Sequence, residues 1–252
     1  LEENLAMVRD TVSHLVAEGQ TVFLDAEHFF DGYRANRPYA LEVLRTAYEA
    51  GAEVAALCDT NGGMLPTWVG DVVGDVVSST GGRVGIHCHN DTGCAVANSL
   101  AAVDAGATHV QGTINGYGER TGNADLISVV ANLELKLDRR VLPQGLLAEA
   151  TRIAHAVAEV TNVPPASRQP YVGTSAFTHK GGMHVHAVQR IAHSYEHVEP
   201  SLVGNERRIL VSELSGASNI SATLGEKFSI QDDKDLQRVV LQRVQELEHQ
   251  GY

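Results

Sequence analysis

The 252 residues are 43% hydrophobic, enough for a substantial core arranged as one large domain or two smaller ones. Nineteen Lys and Arg against thirty-one Asp and Glu give a formal charge of −12, which repels phosphate backbones and anionic bilayers; this argues for no nucleic acid and no membrane partner, and any anionic ligand needs a local positive site. Cys58, Cys88 and Cys94 have no disulfide-framework spacing, and no stretch reads as a signal peptide or a membrane-spanning helix, so a reducing, cytoplasmic setting is expected.

The chain starts inside a helical pattern, with Leu5, Val8, Val12 and Leu15 at helical spacing up to Gly19. TVFLDAE (21–27) follows as a strand. The alternation then repeats: helix PYALEVLRTAYEAGA and strand EVAALCD, helix PTWVGDVVGDVVSSTGG and strand RVGIHC, helix TGCAVANSLAAVDAGA and strand THVQGTI. Each helix ends at glycine and each strand is short and apolar, the pattern of a parallel sheet with helices outside. A helix over ADLISVVANLELKL comes next. After about residue 140 the strand rhythm stops. A helix near 145–161, the Pro-containing NVPPASRQPYVG, an irregular SAFTHKGGMHVHAVQR and a charged helix near 232–249 make an α-rich second part. The expected division is therefore 1–140 and 141–252.

Polar residues gather at the carboxyl ends of the strands, where α/β sheets and barrels carry their chemistry: Asp25 and Glu27, Asp59 and Thr60, His87 and His89, then Asn115 and the GYGER loop. Residues i and i+2 of a strand face the same side, so His87 and His89 point together while Cys88 faces away. Two neutral imidazoles held this way can take a divalent cation, with oxygen ligands completing the shell; an accidental pair or a hydrogen-bonded polar strand end is the plainer reading. Asp91 is expected to cap the following helix, and Asp59 and Thr60 either cap theirs or, for Thr60, meet a substrate carboxylate. The glycine-containing TINGYGERTGN permits close backbone approach but is not a nucleotide-binding pattern.

LDAEHFFDGY, CDTNGG, HCHNDTGCAVANSLAAVDAGA, VQGTINGYGERTGNADL, YVGTSAFTHKGGMHVHAV and LVGNERRILVSELSGASNI together resemble, in this order, segments of the 2-isopropylmalate synthase/homocitrate synthase family, and most closely its citramalate-synthase-like branch. The resemblance covers nearly the whole chain. It implies an α/β fold, a metal-dependent TIM barrel followed by an α-rich subdomain that reaches over a neighbouring subunit's active site, hence a homodimer. It implies an acyltransferase that condenses acetyl-CoA with a 2-oxo acid, pyruvate or 2-oxoisovalerate, in branched-chain amino-acid biosynthesis. Homocitrate synthase, a related lyase and a noncatalytic half-barrel that binds a metal or a partner are the alternatives.

By the same resemblance His87, His89 and Asn123 correspond to ligands of a divalent Mn, Mg or Zn ion, and Thr60 to the residue that hydrogen-bonds the oxo-acid carboxylate. His184 corresponds to the subdomain histidine that takes the acetyl-CoA methyl proton, and Tyr195 to its associated tyrosine. His28, His179 and Tyr117 are left without a role, Cys88 and Cys94 are not needed as nucleophiles, and Cys94 is expected to pack within its helix. The Arg-Asp pair of the family's first strand has no counterpart. The chain thus resembles barrel units five to eight plus the subdomain, without the first barrel half or a C-terminal regulatory domain. Residues 1–252 alone are expected to be inactive and to self-associate through bare strand edges.

Overall fold

A computed structural model of the chain describes residues 1–179, 191, 195–209 and 233–251. The chain divides into two compact units, Leu1–Leu133 and Glu134–Tyr252.

In the first unit, α1 (Glu2–Ala17) leads to β1 (Phe23–Ala26), α2 (Phe29–Ala35) and α3 (Arg37–Glu49). Then β2 (Val54–Asp59), α4 (Pro66–Thr80), β3 (Val84–Cys88), α5 (Ala95–Asp104) and β4 (His109–Gln111) alternate, and α6 (Leu126–Leu135) follows. Local chemistry sets the boundaries. Asn36 accepts a hydrogen bond from the Tyr39 N–H at 3.2 Å, and Pro38 in the first turn has no N–H to leave unpaired. Gly51, just past α3, takes φ of +107°, a conformation a side chain would resist.

The four strands form one parallel sheet in the order β1-β2-β3-β4. All six residues of β2 are buried, as expected for a parallel strand covered on both faces. Leu57, Ile86, Val69, Val73, Val76 and Leu44 are completely buried in the main core, and burying each such side chain stabilises the fold by about 1.5–3 kcal/mol. A smaller cluster of Val12, Val22, Ala47 and Ala52 seats α1. The register aligns Cys58, His87 and Gln111 across β2, β3 and β4, and Asp25 with Ala56.

The sheet is curled. Its edge strands β1 and β4 are three strand spacings apart, about 14 Å if the sheet were flat, yet Gln111 Nε2 on β4 donates to Asp25 Oδ1 on β1 at 2.8 Å. Side chains of this length meet only when the strand ends bend toward one another, as in part of a closed barrel. The architecture is α/β, a partial (β/α)8 barrel of four consecutive units.

The second unit contains a 3₁₀ turn (Leu146–Glu149), α7 (Ala150–Thr161), a two-residue parallel pair of β5 (Thr178–His179) with β6 (Arg208–Ile209), and α8 (Lys234–His249). Its interior includes Leu147, Ala154, Ala158, Val172, Phe177 and Val203. No helix among the described residues is long and apolar enough to cross a membrane.

Three local expectations change. The run after TVFLDAE contains a separate helix, α2, because His28 turns the chain into the left-handed region (φ 53°) and Phe29 and Phe30 then bury on one helical face. The strand expected over THVQGTI is only His109–Gln111, since a 3₁₀ turn starts at Ile114. The β5–β6 pair, two residues on each strand, gives no periodic signal in the sequence.

Candidate metal site at the strand ends

His87 is the fourth residue of β3, and His89 lies just past its end. Both rings emerge on one side, with centroids 5.3 Å apart. The chain after β4 folds back on β3: Ala124 N–H donates to Cys88 O at 3.0 Å, Asn90 N–H to Gly122 O at 2.9 Å, and His89 and Asn123 form a single bridge. This hairpin-like return places Asn123 beside His89. The Asn123 Nδ2 donates to Tyr117 O at 3.0 Å, which turns its Oδ1 the other way.

Three buried side-chain atoms lack a hydrogen-bond partner among the described residues, and two of them, His89 Nδ1 and Asn123 Oδ1, belong to this cluster. Burying such atoms unpaired costs on the order of 1–3 kcal/mol each, so a ligand that accepts their lone pairs would recover that loss. His87 Nδ1 lies 2.9 Å from Gln111 Oε1, leaving Nε2 as its remaining ring nitrogen. Burial, then the nearby Arg120 and His87, lowers the pKa of His89 and favours the neutral ring that coordinates metals. Two imidazoles and an amide oxygen fit a divalent cation. Among the described residues, no group of three or more His, Cys, Asp or Glu is placed to hold a metal.

Thr60 follows β2. Its hydroxyl donates to Glu27 Oε2 at 2.7 Å and accepts the His28 N–H at 2.8 Å, so it ties the ends of β1 and β2 together. Arg120 makes a third link. Its Nη2 donates to Thr60 O at 2.8 Å, and its guanidinium grips Asp91.

The capping expectations do not hold. Asp91 faces Arg120, and the α5 start is instead served by Asn90, whose Oδ1 accepts the Ala95 N–H at 3.1 Å. Asp59 accepts the Gly63 and Met64 N–H groups, both at 3.1 Å, and so closes the CDTNGG turn and not the α4 start at Pro66. Burial raises the pKa of Asp59 despite those two bonds. Cys94 lies half-buried at the residue before α5, outside the helix in which it was expected to pack. Burial pushes the Cys58 thiol up to about 12 and raises that of Cys88 as well, which makes both poor nucleophiles.

Tyr195 belongs to the second unit and is 46% exposed, while His184 lies outside the described residues. Of the three residues left without a role, His28 serves through its backbone N–H and Tyr117 through its carbonyl. His179 is buried against Glu196 at 3.0 Å, and Glu196 also accepts from Arg207 Nε at 2.6 Å. Sequence reasoning missed Gln111; its strand, His109–Gln111, is three residues long and carries two polar side chains, so no local signal sets Gln111 apart.

Residues 1–157 match the HMGL-like family, and residues 171–251 match the homocitrate synthase post-HMGL domain-like family. An (R)-citramalate synthase of Streptomyces coelicolor is 59% identical over 254 residues, spanning 100% of this chain and 47% of that protein. An (R)-citramalate synthase of Synechocystis is 51% identical, spanning 100% and 48%. A probable 2-isopropylmalate synthase of Methanopyrus kandleri is 39% identical, spanning 99% and 49%. The chain thus covers about half the length of the curated relatives it matches. The HMG-CoA lyase of Bacillus subtilis shares the fold with a TM-score of 0.56 at 22% identity, over 65% of this chain and 57% of that one. Taken with the parallel half-barrel and its histidine pair, the match over residues 1–157 means that the chain belongs to the HMGL-like family.

Proposed function

We propose that the protein is an acyltransferase of the citramalate-synthase type, joining the acetyl group of acetyl-CoA to pyruvate. The observation that carries this reading is the convergence of His87, His89 and Asn123, with two unpartnered buried acceptor atoms, at the carboxyl ends of the strands. The identities with two (R)-citramalate synthases, higher than with the 2-isopropylmalate synthase, favour pyruvate over 2-oxoisovalerate.

A divalent cation held by His87, His89 and Asn123 would polarise the oxo-acid carbonyl and offset the acid's charge in a chain that is acidic overall. Thr60 orients the substrate carboxylate through its hydroxyl. His184, assisted by Tyr195, takes a proton from the acetyl-CoA methyl group, and the resulting enolate carbon bonds to the oxo carbon. The carbonyl π pair becomes an alkoxide that takes up a proton. Water then adds to the thioester carbonyl, and CoA leaves as the thiol. In this reading the enzyme is a cytoplasmic homodimer, each subdomain serving the other copy's site.

The test is CoA release by the intact protein, followed by thiol detection, with acetyl-CoA and pyruvate, 2-oxoisovalerate or 2-oxoglutarate in turn. Pyruvate is expected to give the highest kcat/KM. Preference for another oxo acid would reassign the substrate, and no release with any of the three would overturn the reading.

A further inference from the structure

Gln111 stands between two groups of fixed character. On one side its amide contacts Asp25 Oδ1 at 2.8 Å, and on the other His87 Nδ1 at 2.9 Å. A carboxylate oxygen only accepts, so the end of the amide facing Asp25 must be the NH₂. The other end is then the carbonyl oxygen, which also only accepts. His87 Nδ1 must therefore carry the hydrogen, and in the neutral ring Nε2 is left with its lone pair.

We infer that Gln111 is a positioning residue that fixes the tautomer and orientation of His87, and that Asp25 fixes Gln111 in turn. The metal-binding consequence rests on the function proposed above; the tautomer itself does not. Placement supports the assignment. Gln111 is in register with His87 on the adjacent strand, so β3–β4 pairing sets their separation without help from any loop. Asp25 reaches the same amide from the far edge strand, 86 residues away in sequence, because the sheet curls. Coordinating histidines commonly give their second N–H to a carbonyl or carboxylate, which orients the ring and raises its basicity. Here an amide carbonyl does this, aimed by a carboxylate one step further out.

The experiment uses the intact protein without metal, labelled with ¹⁵N-histidine and held near pH 8.5, above the ordinary imidazole pKa of about 6.5. Nitrogen shifts then report which ring nitrogen of His87 is protonated. Wild type is expected to show His87 protonated at Nδ1. Gln111→Leu should give a mixture of tautomers, and Asp25→Ala, which lets the amide rotate, a smaller change of the same kind. The double variant Gln111→Glu with Asp25→Asn keeps an acceptor facing Nδ1 and a donor on the far side, and should hold the wild-type tautomer. Zn²⁺ affinity measured by calorimetry should fall by about 10–100-fold in Gln111→Leu and much less in the double variant. An Nε2-protonated His87 in wild type, or an unchanged tautomer in both Gln111→Leu and Asp25→Ala, would overturn the inference. A tautomer that follows Gln111 while wild type fails to bind Zn²⁺ would support the positioning role and refute the metal reading.

Discussion

Arg120 and Asp91, 29 residues apart, form a two-pronged ion pair in which Nε donates to Oδ1 at 2.9 Å and Nη2 to Oδ2 at 3.0 Å. The same Nη2 reaches Thr60 O, so one guanidinium joins the loop after β4 to the turns after β2 and β3. Those turns carry Thr60 and His89, and the loop carries Asn123. The pairing also lowers the pKa of Asp91, chiefly through the Arg120 hydrogen bonds.

Arg120→Lys keeps the charge but loses the planar fork. It cannot hold both Asp91 oxygens and the Thr60 carbonyl in one geometry. Metal affinity in the intact protein should drop on the order of 10-fold, with a smaller change in thermal midpoint. Calorimetry showing wild-type affinity would mean that Arg120 does not organise the ligands.

Gly122 immediately precedes Asn123 and has φ of +92°, and a Cβ added there would run into the backbone oxygen of Gly116. Gly122→Ala is therefore strained in conformation and blocked in space, and should cost more than about 1 kcal/mol as well as displacing Asn123. Gly70→Ala is the control: it lies inside α4 with nothing near an added Cβ, and should be neutral or stabilising by up to about 1 kcal/mol. Urea denaturation of the two variants tests this, and equal effects would contradict the strain argument.

Asp75 accepts from Arg37 Nε at 2.8 Å and Arg37 Nη2 at 2.7 Å, and the Tyr33 hydroxyl also bonds to it. The Arg37 hydrogen bonds, followed by that of Tyr33, bring the Asp75 carboxyl down to about 2 from its ordinary 3.8. A depressed carboxylate stabilises the fold fully above its unfolded-state pKa, and that contribution is lost as pH falls through the folded value. The window is therefore from about pH 4 down to about pH 2. Asp75→Asn should remove this component, so that the stability difference from wild type shrinks across that interval. Parallel pH curves for the two proteins would show that the pair contributes nothing.

The βα alternation was legible because its signals are local: apolar runs in β2 and β3, helical spacing in α3 and α4, and glycines after the helices. His87 and His89 were legible because strand geometry puts i and i+2 on one side. The links between elements were not. Whether Asp91 caps a helix or meets Arg120 depends on how the loop after β4 folds, and nothing near Asp91 in sequence encodes that. Asp25 and Gln111 meet because the sheet curls, a property of four strands together. Short elements escaped for another reason: α2 and the β5–β6 pair are too brief to show a period.

Calorimetric titration of Mn²⁺ into the intact protein and into His87→Ala and His89→Ala asks whether the two histidines hold a divalent cation. Wild type should bind at one site, and each substitution should weaken binding on the order of 100-fold or more, since it removes a ligand itself and not merely a group that orients one. Mn²⁺ affinity unchanged in both variants would mean that neither histidine is a metal ligand.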